Sequence, residues 1–154
     1  MYRRRAFAVA FAVVTFDQVT KALAVAYLEG HAPVPLLGTW LQLSFARNPG
    51  AAFSVGTGMT WVFSAFAVVV SVLLVRTARA VTHAGWAVAL GATLGGALGN
   101  LCDRVLRDPG PLRGHVVDFI ALPNYPLFNI ADSALVCAAA VMVLLSLRGI
   151  EMRS

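Results

Sequence analysis

Seven acidic residues occur in the 154-residue chain, and four of them, Asp17, Asp103, Asp118 and Asp132, fall inside or beside apolar runs. An ionisable group in or near a bilayer costs several kcal/mol, so each is a candidate functional group. Asp118 sits in the β-rich run Val116-Val117-Asp118-Phe119-Ile120 with no cation beside it, and Asp132 opens an apolar segment just after Asn129. The two belong at one depth, near a membrane edge, where water reaches a carboxyl but the dielectric is low. Two carboxylates brought close there cannot both ionise easily and would share a proton. Such a pair supplies a base to activate water and an acid to protonate a leaving amine. The other reading is structural: Asp132 caps a helix and Asp118 binds backbone amides. Spacing alone leaves both open.

The remaining polar groups read as support. Asp17 and Lys21 are four apart on a helix, so they share a face and can pair. Asn100, Asp103 and Arg104 come at the end of a glycine-rich segment. Since arginine holds a carboxylate through two bonds, an Asp103–Arg104 network is the expectation there; Arg104 is alternatively placed to contact a substrate headgroup or backbone. Other chemistries lack their parts. His31, His83 and His115 are scattered, no serine sits in a Gly-x-Ser-x-Gly elbow, and no His/Cys/Asp group has metal-ligand spacing. A hydrolase built from this sequence is expected to be an aspartyl one, without metal or other cofactor. Cys102 and Cys137 read as two buried thiols.

The elements that must position these groups are membrane helices. Hydrophobic residues make up 59% and charged residues 12% of the chain, against soluble norms of roughly 45–50% and about 25%. The net charge of +5 comes without a basic face interleaved with aromatics, which argues against a nucleic-acid partner. Apolar segments over about 6–28, 59–75, 85–102 and 129–147 approach the roughly 20 residues needed to cross a bilayer. Arg3-Arg4-Arg5 ahead of the first imitates a signal peptide, but Asp17 and Lys21 interrupt its apolar region, so a retained helix is expected. Seven arginines (3, 4, 5, 76, 79, 148 and 153) fall to one side of the membrane and four (47, 104, 107 and 113) to the other. That bias puts both termini in the cytoplasm and the 29–58 and 103–128 segments outside. In the first outer segment Leu41, Leu43 and Phe45 alternate with polar or small residues, as a half-buried strand does, and 116–120 is a partner for it. Residues 107–114 read as a turn or mobile loop. Gly91, Gly95 and Gly99 recur every four residues, a face that admits a neighbouring helix closely.

Taken in order, five blocks resemble bacterial lipoprotein signal peptidase (signal peptidase II): residues 17–21 (DQVTK), 48–53 (NPGAAF), 95–104 (GGALGNLCDR), 116–120 (VVDFI) and 128–132 (FNIAD). They span the chain from its first apolar segment to its last. The resemblance implies an all-α membrane protein of four transmembrane helices with a small outward-facing β-rich cradle, forming a single integral membrane domain. It implies a monomeric aspartyl endopeptidase of the bacterial inner membrane. The enzyme would remove signal peptides from prolipoproteins by cutting before a diacylglyceryl-modified cysteine, with membrane lipid as its other partner. The family's catalytic pair maps onto Asp118 and Asp132. Its supporting residues map onto Asn48, Asn100, Arg104 and Asn129 around substrate, and onto Asp17, Lys21, Gly50, Gly99 and Asp103 in structural or supporting roles. The 105–115 stretch is longer than the family's usual spacing. Two rival readings are a small proton-coupled transporter, which needs carboxylates at several depths, and a non-enzymatic assembly subunit using the glycine stripe.

Overall fold

The structure, a computed structural model, describes residues 1–50 and 59–153. Residues 51–53 of the 48–53 block, and the end of the 29–58 segment, lie outside the described residues. Four helices, α1 (Tyr2–Leu28), α2 (Thr60–Arg79), α3 (Ala84–Leu106) and α4 (Ile130–Leu147), are each long and apolar enough to cross a membrane. Three strands, β1 (Val34–Leu37), β2 (Leu41–Asn48) and β3 (Val116–Ala121), form one antiparallel sheet in the order β1-β2-β3. Four membrane-length helices with a small β-rich element is the architecture the sequence led us to expect.

The distribution of side chains is inverted relative to a soluble bundle. The buried residues are mostly small, with Ala6, Ala10, Ala24, Ala78, Ala87, Ala131 and Ala138 among them, while Phe11, Phe66, Val72, Val136 and Leu144 point outward. Large apolar side chains are content in lipid, so helices associate through close backbone approach rather than by hiding bulk. α3 occupies the centre and packs against the other three helices. Gly91 and Gly95 meet α1, where a Cβ at Gly91 would run into the Ala6 carbonyl and one at Gly95 would lie 2.6 Å from Val13 Cβ. Gly96, outside the expected stripe, faces α4, with the Ala131 carbonyl 2.6 Å from where its Cβ would be. Because the Ala6 obstacle is backbone, Gly91→Leu is expected to push α1 from α3 and destabilise the protein by about 1–3 kcal/mol or more. Thermal unfolding in detergent measures this; a melting point unchanged from the parent would show that the helices part without cost.

The sheet covers the end of the bundle where α1 finishes. Val117 and Phe119 turn one face of β3 onto Ala24 and Leu28 of α1, with Leu43 and Phe45 packed alongside. Strand alternation therefore sends Asp118 to the opposite face. β2 pairs with β3 so that Ala46 opposes Asp118 and Asn48 opposes Val116, after an irregularity in register between Leu43 and Ala46. The end of α1 is clasped to β2 by Glu29 and Arg47, with Arg47 Nε 2.8 Å from Glu29 Oε1.

α3 runs one turn past residue 102 and carries Asp103 and Arg104 at its end, as their spacing led us to expect. Of the two readings of 107–114 the turn holds, and it is fastened down: Gly114 N donates to Arg104 O at 3.0 Å and Ser64 Oγ donates to Leu112 O at 2.7 Å, tying it to α3 and α2. One expectation needs correction. The thiols are not both buried: Cys102 is half-buried and Cys137 is exposed on α4. On a spanning helix an apolar position has no need of the protein interior, because lipid solvates it equally well.

Candidate active site

Asp132 owes its place to the start of α4. Asn129 caps that helix: its Oδ1 accepts from Asp132 N at 3.0 Å, and Asp132 Oδ2 accepts from Asn129 N at 3.2 Å, a reciprocal capping box. With Asn129 Oδ1 committed to the helix, its Nδ2 must point away, and it donates to Asp118 Oδ1 at 2.7 Å. One amide thus links the two aspartates through its two ends. Asp118 Oδ2 accepts from Asn48 Nδ2 at 3.0 Å, and Asn48 Oδ1 in turn accepts from Gly50 N at 2.9 Å. Asp132 Oδ1 accepts from Asn100 Nδ2 at 2.8 Å. Each carboxyl therefore receives two N–H donors, and none of these partners can accept a carboxyl proton. Such a proton is left free for the cavity that both residues line.

The cavity, of about 350 Å³, is lined by Asn48, Gly50, Asn100, Arg104, Asp118, Asp132 and the apolar Phe128, Leu135 and Val136. Asp118 is 3% exposed. Its burial first, and the charge of Asp132 second among the raising influences, push its carboxyl from the usual 3.8 up to about 6, against the pull of the Asn48 and Asn129 amides and Lys21. Asp132 takes part in the helix cap, one of the two readings left open by the sequence, and it lines the same cavity as Asp118. The same helix start that needs a cap aims the cap's free amide at Asp118.

Behind the pair lies a charged layer. Lys21, fully buried, reaches Asp17 Oδ2 at 2.8 Å, Asp103 Oδ2 at 2.9 Å and Asn100 Oδ1 at 2.8 Å. By taking Asn100 Oδ1 it turns the amide donor of Asn100 toward Asp132. Each of the two supporting carboxylates also grips the chain one residue ahead of a member of the pair. Asp103 Oδ2 accepts from Val117 N at 3.1 Å, next to Asp118, and Asp17 Oδ1 accepts from Ala131 N at 2.9 Å, next to Asp132. Gly99 leaves room for this, since a Cβ there would sit 2.7 Å from Asp17 Oδ2.

The expected Asp103–Arg104 network is absent. Successive helical residues point about 100° apart, whereas residues four apart share a face, and Asp103 pairs with Arg107, Nε to Oδ1 2.7 Å. Arg104 instead donates from Nη2 to Gly50 O at 2.8 Å and lies over the Phe63 ring, and its buried Nη1 has no hydrogen-bond partner among the described residues. Two contributors were not singled out from the sequence. Arg107 was detectable by its spacing of four from Asp103. Gln18, whose Nε2 lies 3.0 Å from Gly99 O and 3.2 Å from Asp103 Oδ1, carries only the weak signal of a polar residue beside Asp17 in an apolar helix.

Fold and site together define a polytopic membrane protein of four helices, with two carboxyls, buried Asp118 and half-buried Asp132, facing one cavity where the bundle meets its sheet. The family model described as signal peptidase (SPase) II matches residues 9–148. Three proteins called lipoprotein signal peptidase are similar to the chain. The one from Rhodococcus jostii (strain RHA1) is 50% identical over 94% of this chain and 73% of its own length. That of Streptomyces coelicolor is 47% identical over 96% and 74%, and that of Mycobacterium tuberculosis is 45% identical over 96% and 73%. A bacterial membrane enzyme solved by the in meso method at 2.3 Å resolution superposes with a TM-score of 0.83 at 31% identity, covering 93% of this chain and 87% of the other. A second, at 1.9 Å resolution, has a TM-score of 0.79 at 31% identity and covers 92% of each chain. The chain belongs to the signal peptidase II family, and is a multi-pass membrane protease of that family.

Proposed function

We propose that the protein is an aspartic endopeptidase whose catalytic pair is Asp118 and Asp132. Its substrates are prolipoproteins, cut just before the diacylglyceryl-modified cysteine to release the signal peptide. The observation that carries this reading is the convergence of two carboxyls, Asp118 buried and Asp132 half-buried, on one cavity, each held among the described residues by N–H donors, which leaves the pair's proton for a substrate. A water between them attacks the scissile carbonyl carbon. One aspartate takes the water's proton while the other, protonated, polarises the carbonyl oxygen. The tetrahedral intermediate collapses with breakage of the C–N bond, and the nitrogen leaves as the amine after receiving a proton from the pair. Asn48, Asn100 and Asn129 hold the carboxyls in register, and Nη1 of Arg104, without a partner among the described residues, is a donor for substrate backbone or headgroup.

Lipid access supports the substrate class. Val136, which lines the cavity, is 65% exposed on the outer surface of α4. The cavity wall therefore meets the surrounding lipid, where diacylglyceryl chains reside, and the membrane presents the scissile bond at the depth of the pair. The arginine bias supports cytoplasmic termini and an outward-facing site in the bacterial inner membrane. A single chain contributes both carboxyls, in keeping with a monomer and a single membrane domain. The transporter reading is disfavoured because Asp17 is neutralised by Lys21 one layer behind the pair rather than placed along a path of carboxylates.

Cleavage of a diacylglyceryl-modified prolipoprotein, compared with the same protein lacking the lipid, tests activity and lipid dependence together; equal cutting of both would overturn the substrate assignment. The pH profile is a second check. Because Asp118 is held up near 6, kcat/KM is expected to be bell-shaped, with an alkaline limb at an apparent pKa of about 6 that belongs to the pair as a whole. A rate that climbs steadily through pH 8 would speak against a shared proton.

A further inference from the structure

We infer that the cleft between the first turn of α1 and the last turn of α2 seats the phosphate headgroup of an anionic phospholipid. The cleft, about 500 Å³, is lined by Arg3, Arg4, Phe7 and Arg79. Three arginines from two helices thus line one space, and among the described residues none of them is ion-paired with a carboxylate that would relieve their mutual repulsion. For Arg3 and Arg4 the backbone makes it worse, since they occupy the positive end of the α1 dipole, whose first turn contains no acidic residue. An anion in the cleft removes both costs, and each planar guanidinium can give two parallel N–H bonds to phosphate oxygens.

Position selects a lipid as the source of that phosphate. The 20 residues of α2 run from Thr60, bonded to Pro49 beside the cavity of the aspartates, to Arg79 in the cleft. That length is about 30 Å, the thickness of a hydrocarbon core, so the cleft lies at the headgroup level of the opposite leaflet. Tyr2 and Trp86 pack at the same end, where amphipathic rings mark the interface. Phe7, one turn inside the arginines, offers an apolar surface to the glycerol and the first acyl carbons. The charge on this cleft thus complements an anionic headgroup whose tails stay in the bilayer. Occupancy ties the start of α1 to the end of α2 and sets the depth of the bundle.

The test uses the whole protein in nanodiscs of phosphatidylcholine, with and without added phosphatidylglycerol. A seat filled well above its dissociation constant raises Tm by about 5 °C. That rise is expected for the parent and for an Arg76→Gln/Arg148→Gln/Arg153→Gln control, which loses equal charge at the same end but off the cleft. It is expected to vanish in Arg3→Gln/Arg4→Gln/Arg79→Gln. Inorganic phosphate added to phosphatidylcholine discs is expected to change nothing. Equal loss of the rise in the control would replace the seat with diffuse surface charge, and an equal rise with inorganic phosphate would make the ligand a soluble anion; either overturns the proposal. Native mass spectrometry of the parent needs no variant: one phosphatidylglycerol retained per chain supports the seat, and none retained refutes it.

Discussion

Asp118→Asn and Asp132→Asn are each expected to lower cleavage of a lipid-modified prolipoprotein by about 10²–10⁴-fold or more while the protein still folds. The amide is nearly isosteric with the carboxyl but can neither take a proton from water nor complete a shared-proton pair. For Asp118 the change also reveals its conflict with stability. Burial raises its carboxyl from 3.8 to about 6, so the folded state favours the protonated form. The stability this confers is fully present below pH 3.8 and is lost as pH rises through about 6. At neutral pH the ionised group therefore weighs against folding by about 3 kcal/mol. Asparagine removes that cost but sets one of its own N–H groups against the amide donors of Asn48 and Asn129, which takes back about 1 kcal/mol. Asp118→Asn should thus melt higher than the parent at pH 7–8 and lose that advantage at pH 4. Near-parental cleavage by either variant would sink the catalytic assignment, whereas a pH-independent melting difference would sink only the account of burial.

The second large effect is at Lys21. Its ammonium lies between the carboxylates of Asp17 and Asp103, and all three side chains are fully buried. Lys21→Met retains the apolar stem and leaves two carboxylates facing each other without their common cation, although Asp103 keeps Arg107. Removal of one partner from a buried ionic group costs about 3–5 kcal/mol. The loss is expected to reach catalysis as well. Asp103 and Asp17 hold the backbone beside Asp118 and Asp132, and Asn100 would no longer have its amide turned by Lys21. Unfolding in detergent and cleavage at low temperature separate the two losses. A Lys21→Met/Asp17→Asn double variant, which lowers the number of stranded carboxylates, should recover part of the stability as a non-additive coupling. If Lys21→Met alone unfolds like the parent, the network does not hold the site together.

Much of this protein can be read from its residues because membrane solvation is a severe filter. With 59% hydrophobic residues and only seven acidic ones, a carboxyl has few acceptable positions, so Asp17, Asp103, Asp118 and Asp132 stand out without a structure. Helix length, the glycine spacing on α3 and the alternation in β2 follow from local periodicity, which is a property of sequence. The five ordered blocks add the family, because each places a polar group at a defined point along the chain.

Partnership within one helix follows from spacing, as Asp17 with Lys21 shows, but partnership between elements was decided by tertiary structure. Asp103 beside Arg104 looked like a pair in the sequence, yet the helix turns them apart and delivers Asp103 to Arg107 and to Lys21 of α1. Asp118 and Asp132 were candidates by type and depth, but their meeting depends on Asn129, whose oxygen is claimed by the start of α4 and whose nitrogen is thereby aimed at β3. The physical reason is that a hydrogen bond or ion pair in a low-dielectric interior is settled within a few tenths of an ångström, by helix phase, strand register and the close approach that Gly91, Gly95 and Gly99 permit. Sequence specified which charged groups the membrane would have to accommodate. Only the packing of α1, α3, α4 and β3 determined how Asp17 and Asp103 do their supporting work, by gripping the backbone beside Asp132 and Asp118.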